Sequence, residues 1–295
     1  NAAGDAVIPY DDPYNTYQWN LINVGDKTFG MSVKEGADVG VKDAWSLTTG
    51  SKDVVVAVCD APVKYTHADL AAAMWVKKEK KNGAEGIDDD GNGFVDDVHG
   101  YNFINELYSK GALNWNVPTE SGHGTHVAGI IGAVNGNGIG VSSVAGGSGN
   151  GDGVRIMSCQ IFEGETAGGD REVAEAFIYA ADNGACIAQC SYGNANIITS
   201  DDIYINGGEI EHDGQTIKVN SSTLENAALK YFLDPANSNH ESLEGNMAIF
   251  AAGNHSNPYS IYPGALPYVI SVTAFGCDFL PGGYTNYGPG CKISA

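Results

Sequence analysis

The sequence predicts a three-layer α/β fold, a central, mostly parallel twisted sheet flanked by helices. Three observations carry this expectation. Apolar, β-branched runs of strand length recur along the chain. Helical patterns with start and stop residues fall between them, and polar residues collect where the runs end.

The runs come in order. "DVVVAVCD" (53–60) is a buried strand that ends at an aspartate. "VRIMSCQIF" (154–162), "ACIAQCSYG" (185–193), "NMAIFAAGN" (246–254) and "PYVISVTAF" (267–275) follow the same pattern. Between them, "DREVAEAFIYAADNG" (170–184) has an Asp start, an apolar stripe at i, i+3, i+4 and a Gly stop. "STLENAALKYFLD" (222–234) behaves alike, and "VAGIIGA" (127–133) continues a helix from the glycine-flanked His123. "YINGGEIEHDGQTIKVN" (204–220) alternates polar and apolar around an Asp-Gly turn signal, which predicts a surface hairpin inserted within 194–221. In a parallel sheet the working residues gather at the carboxyl ends of strands, where Asp60, Tyr192 and Asn254 stand.

Composition limits the function classes. With 295 residues and 43% hydrophobic content the chain can bury a sizeable core. A net charge of −21 argues against nucleic-acid and anionic-membrane partners. No apolar run is long enough to span a membrane. The chain opens at Asn1 without a signal peptide, as it would after removal of one or in a piece that begins beyond it. Six cysteines match no zinc spacing. Cys59, Cys159 and Cys190 read as buried small hydrophobes. Cys277 and Cys291, flanking a Gly/Pro-rich turn, are the best disulfide candidates.

"SGHGTHVAGIIGA" (121–133) carries the chemistry. His123 and His126 stand three apart without the glutamate of a zinc-protease helix, so a metal pair is disfavoured and His126 reads as structural. His123 differs, because Gly122 and Gly124 remove side chains around it. An imidazole base needs an acid on its other nitrogen and a nucleophile within hydrogen-bond reach. Asp60 is the acid candidate, since a charge at the end of a buried strand is costly unless paired.

"VVVAVCDAPVKYTHADL" (54–70), "SGHGTHVAGIIGA" and "IFAAGN" (249–254) resemble the aspartate, histidine and oxyanion-asparagine blocks of the subtilisin-like serine proteases, in the family's order. The resemblance runs from about "YDDPYNTYQW" (10–19) to the last residue. It implies a secreted, extracellular or periplasmic serine endopeptidase acting on extended polypeptides. In it Asp60 orients His123, His123 acts as general base and then acid, and Asn254 donates to the oxyanion. The chain departs from the family in two places. Ala61 and Pro62 follow the aspartate, so no hydroxyl reaches the carboxylate and Pro62 has no N–H. No Gly-Thr-Ser nucleophile motif occurs in 1–295. The resemblance therefore implies one peptidase domain lacking its nucleophile-bearing part, inactive alone, with its own C-terminal segment as a candidate second chain. The alternative is a catalytically inactive subtilase fold used for binding or regulation.

The same resemblance assigns a substrate groove. Ser191, Tyr192 and Gly193 form one wall of the primary pocket and Ala251, Ala252 and Gly253 the other. The segment 162–169, with Gly164, opposes them. These small walls leave space for a large apolar side chain. Backbone pairing would extend the sheet edge.

Two calcium sites are expected. "DDDGNGFVDD" (88–97) follows the loop grammar D-x-D/N-x-D/N-G, with Asp88, Asp90 and Asn92 as side-chain ligands, Phe94 as carbonyl and Asp96 at position nine. His99 stands where a closing glutamate belongs, so Asp97 is the candidate closer. The second site rests on the resemblance alone. It would use Val134, Asn137, Ile139 and Val141 of the glycine-rich loop 133–141, together with Asp69 and Asp12.

Overall fold

The structure, a computed structural model, describes residues 8–78, 85–104, 113, 122–164, 166–194, 204–206, 209–212, 215–218, 223–237 and 245–295. Its centre is a seven-stranded sheet. Five members are the anticipated runs, namely β1 (Val55–Asp60), β3 (Arg155–Gln160), β6 (Ile187–Cys190), β10 (Met247–Ala251) and β11 (Ile270–Thr273). Two short edge strands, β2 (Gly100–Asn102) and β12 (Ile293–Ser294), complete it. The order is β12-β11-β10-β6-β1-β3-β2, and every pairing is parallel.

Alternation within the strands builds two cores. Ala57 and Cys59 face one layer, with Met157, Cys159, Ala188, Cys190 and Phe250. Val56 and Val58 face the other, with Val154 and Ile156. Helices α3 (Asp170–Asp182) and α4 (Thr223–Leu233) cover the first face through Phe177, Ala181, Leu229 and Phe232. Helix α2 (His123–Gly132) covers the second through Ala128. Each fully buried phenylalanine here contributes about 2–3 kcal/mol of transfer free energy. Glu172 accepts from the backbone N–H of Gly169 at 2.9 Å at the start of α3, the half of a capping box that a glycine N-cap allows. Asp170 is thus the first helical residue, one position inside the cap.

Cys59 lies opposite Cys159 in the β1–β3 register, and both are buried with Cys190. All six cysteines are free thiols, so the expected Cys277–Cys291 disulfide is absent. Cys277 is instead tied through its carbonyl to Lys34 N at 2.8 Å, on the N-terminal segment. Small antiparallel strands decorate the sheet. β4 (Phe162–Glu163) pairs β5 (Thr166–Ala167). β7 (Tyr204–Asn206), β8 (Glu209–His212) and β9 (Gln215–Lys218) form a three-stranded unit inside 194–221, one strand more than a hairpin. The Asp213-Gly214 turn itself lies outside the described residues, as do 195–203 and 219–221.

Candidate active site

β1 delivers Asp60 to the carboxyl edge of the sheet, and α2 begins beside it with His123 as its first residue. His123 Nδ1 lies 2.6 Å from Asp60 Oδ1. A carboxylate only accepts, so Nδ1 carries the hydrogen and Nε2 is the basic nitrogen. The carboxylate side chain is 3% exposed and the imidazole 51%, an anchored acid beneath a solvent-facing base. Burial pushes the Asp60 pKa up, and the hydrogen bond and charge of His123 work against that rise.

The departure at 61–62 has a visible consequence. Ala61 supplies its backbone N–H to Asp60 Oδ1 at 2.7 Å, but Asp60 Oδ2 is buried with no hydrogen-bond partner. The junction is held elsewhere. Thr125 Oγ1 accepts from Lys64 N at 2.9 Å, and Val63 N donates to Ser158 Oγ at 3.2 Å. Neither Thr125 nor Ser158 carried a sequence signal. Gly124 is explained by packing, because a Cβ there would run into the Ala61 carbonyl oxygen. Its role is to bring α2 against β1, which corrects the expectation that it clears room for substrate. His126 is exposed, and its backbone N–H donates to Gly122 O at 2.9 Å.

Asn254 is exposed, just beyond β10. Its loop is clamped by fully buried Asn286. Asn286 Oδ1 accepts from His255 N at 2.9 Å and Asn257 N at 3.0 Å, and Asn286 N donates to Gly253 O at 2.9 Å. Sequence reasoning missed this residue, whose only signal is its place in "GGYTNYGPG" (282–290).

β6 and β10 are neighbours in the sheet, so Ser191–Gly193 and Ala251–Gly253 emerge side by side. Ser191 Oγ accepts from Gln189 Nε2 at 2.6 Å. Ala252 is buried, Ala251 half-buried. Gly164 turns the β4–β5 hairpin, whose Phe162 ring packs on Tyr192 at 5.8 Å between centroids. Between the walls lies Ile261, 4% exposed. A Cβ at Gly193 would collide with Ile261 Cδ1, and one at Gly253 would sit 3.2 Å from it. Both glycines thus lie against the Ile261 side chain, which leaves no room for a Cβ at either position. Behind Tyr192, its hydroxyl donates to buried Glu225 Oε1 at 3.1 Å. Burial raises the Glu225 pKa to about 7, against hydrogen bonds from Tyr192 and Tyr262 that lower it.

A family model for subtilases matches residues 51–295. The chain belongs to the subtilase family. A thermophilic serine proteinase from Bacillus sp. (strain AK1) is 26% identical to this subtilase over 290 residues, 98% of the chain and 55% of the relative. Subtilisin-like protease 1 of Plasmodium vivax is 28% identical over 239 residues, 79% of the chain and 30% of the relative. Among solved structures, a protease from Pseudoalteromonas arctica superposes with a TM-score of 0.58 at 25% identity, covering 97% of this chain and 71% of that one. A cold-adapted subtilisin-like serine proteinase shares the fold, with a TM-score of 0.51 at 17% identity over 83% of this chain and 64% of that one. This subtilase thus spans about half or less of the curated relatives it matches.

The metal candidates of the subtilase separate into two groups. Asp12 and Asp69, 4% and 2% exposed, face one loop. Asp12 accepts from Gly136 N at 2.9 Å, Gly138 N at 3.1 Å and Ser142 Oγ at 2.7 Å. Asp69 accepts from Asn137 Nδ2 at 2.8 Å and Val141 N at 3.0 Å, while Asn137 Oδ1 accepts from Ile139 N at 2.7 Å. Val134 N donates to the Asp69 carbonyl at 3.0 Å. Burial, with the nearby Asp12 charge, raises the Asp69 pKa. Among the described residues no lysine or arginine pairs with either acid, while the charge of nearby His67 acts to lower the Asp69 pKa. The Asp88–Asp97 loop is arranged differently. Asp88 accepts from Gly91 N at 2.9 Å and Gly93 N at 2.8 Å, Asn92 Oδ1 from Phe94 N at 2.8 Å, and Asp96 from Gly86 N at 2.8 Å. Asp90 is in contact with a lysine.

Proposed function

We propose that this chain is the acid, base and oxyanion portion of an endopeptidase that cleaves extended polypeptides by an Asp–His–Ser mechanism. The Asp60–His123 pair, with its buried carboxylate and half-exposed imidazole, carries the reading. His123 Nε2 takes the proton of a serine hydroxyl as it attacks the scissile carbonyl, then returns it to the leaving amine. Asp60 holds the tautomer and stabilises the imidazolium. The Asn254 amide donates to the oxygen that gains charge, in a loop already set by Asn286. The serine is supplied from outside 1–295, from the continuation of the polypeptide or from that segment as a second chain, and residues 1–295 alone are inactive.

Calcium belongs to this reading at one place. Asp12, Asp69, Asn137 and the carbonyls of Val134, Ile139 and Val141 would hold it, and it would neutralise two buried carboxylates and brace the loop after α2. An extracellular or periplasmic place of work goes with this reading, and among the described residues no helix is long and apolar enough to cross a membrane.

The test uses the natural polypeptide that contains this chain. It should hydrolyse denatured protein, react with a fluorophosphonate probe at a serine outside 1–295, and lose both properties on His123→Ala. Hydrolysis that survives His123→Ala, or labelling within 1–295, would overturn the mechanism. A folded, fluorophosphonate-inert polypeptide would establish the inactive binding fold instead.

A further inference from the structure

The Asp88–Asp97 loop is spelled like a calcium loop, yet a positive charge already occupies it. Lys77 enters from the segment ahead of the loop, and its backbone N–H donates to Val98 O at 3.0 Å, which anchors it against the loop's end. Its Nζ lies 2.7 Å from Asp90 Oδ2 and 2.7 Å from Asp97 Oδ2. These are the third-position carboxylate and the candidate closing carboxylate. The lysine side chain is 5% exposed and that of Asp97 0%. Asp97 Oδ2 also accepts from Tyr179 Oη at 3.0 Å and Asn92 Nδ2 at 3.1 Å, so the fifth-position side chain turns its donor, not its oxygen, toward the cluster. The ammonium lies 5.9 Å from the centroid of the Tyr179 ring.

Calcium needs six to eight oxygens at about 2.3–2.6 Å. An ion shared by Asp90 and Asp97 would stand against an ammonium bonded to the same two oxygens, with Lys77 and Asp97 both buried. The residues present do not fit the metal. We infer that Lys77 is the built-in cation of this loop, its ammonium taking the place that the loop's spelling reserves for calcium. The loop is then closed by the chain itself, and its stability does not follow the calcium concentration.

The experiment compares the intact polypeptide with Asp88→Asn and Lys77→Gln by equilibrium dialysis against radiolabelled calcium and by thermal melts with and without chelator. Asp88 is half-buried and makes no contact with Lys77, and Asp88→Asn is expected to bind as many calcium ions as the unmodified protein, with the same calcium-dependent gain in Tm. Loss of one ion on Asp88→Asn would overturn the inference. Lys77→Gln should melt lower in chelator, bind one additional calcium ion and recover several degrees when calcium is added. A folded Lys77→Gln that gains no ion would also overturn it. Should that variant not fold, Lys77→Arg, which keeps the charge, should melt like the parent, and the Asp88→Asn comparison decides.

Discussion

Glu225→Gln should abolish one component of the pH dependence of stability. Glu225 is 7% exposed and lies under Tyr192, with Tyr262, Asp170 and Cys59 as the other groups that act on its charge. Its folded-state pKa is about 7, against an ordinary 4.5. The folded protein therefore holds this proton more tightly than the unfolded chain. The contribution to stability is fully present below pH 4.5, declines as pH rises and is lost above pH 7. At about 1.4 kcal/mol per pH unit the loss across that window is about 3 kcal/mol. The amide oxygen of glutamine still accepts from both tyrosine hydroxyls but does not titrate. Urea unfolding followed by tryptophan fluorescence, for parent and variant at several values across the window, gives the difference directly. Taking the difference cancels the other raised acids, Asp60 and Asp69. The two proteins should be about equally stable at the acid end, and the variant about 3 kcal/mol more stable relative to the parent above pH 7. Parallel stability curves would refute the reasoning and show that Glu225 is solvated or paired in a way the structure does not contain.

Four further outcomes are expected. In the natural polypeptide that contains this chain, Asn254→Leu should lower turnover by about 10²–10³ with little change in KM, the size of effect that loss of an oxyanion asparagine has in subtilisin; a variant with full turnover would make Asn254 a turn residue only. Gly124→Ala places a methyl against the Ala61 carbonyl and should cost about 1–3 kcal/mol, read as a lower urea midpoint together with reduced activity. Ile261→Ala should empty the space between Gly193 and Gly253 and raise kcat/KM for substrates with a large apolar residue before the scissile bond by about tenfold or more, measured on a paired peptide series. Chelator should lower the Tm through the Asp12–Asp69 site, and Asp69→Asn should remove that response, since a native-state ligand stabilises by mass action.

Much of this protein is legible without coordinates. A parallel strand buried on both faces must be apolar throughout, so the long runs that became β1, β3, β6, β10 and β11 declare themselves. β2 and β12, with three and two residues, are too short to show a period. The helices α2, α3 and α4 are written in their apolar stripes, and the Asp60–His123 pair in the residue types that an imidazole base requires. Sequence alone determined those things because each depends on neighbours a few residues away or on a block spelled contiguously. Tertiary structure alone decided the strand order, the packing of Ile261 against Gly193 and Gly253, the clamp of Asn286 on the Asn254 loop, the acid Glu225 behind Tyr192 and the lysine in the acidic loop. In a parallel sheet every neighbouring strand is reached through a crossover, so residues that touch are separated by long stretches of chain. Asp60 and His123 are 63 positions apart, and Thr125 reaches Lys64 across 61. Local patterns carry no information on which distant side chain will fill a space or balance a charge; packing density and the cost of an unpaired buried charge settle that only once the layers have closed.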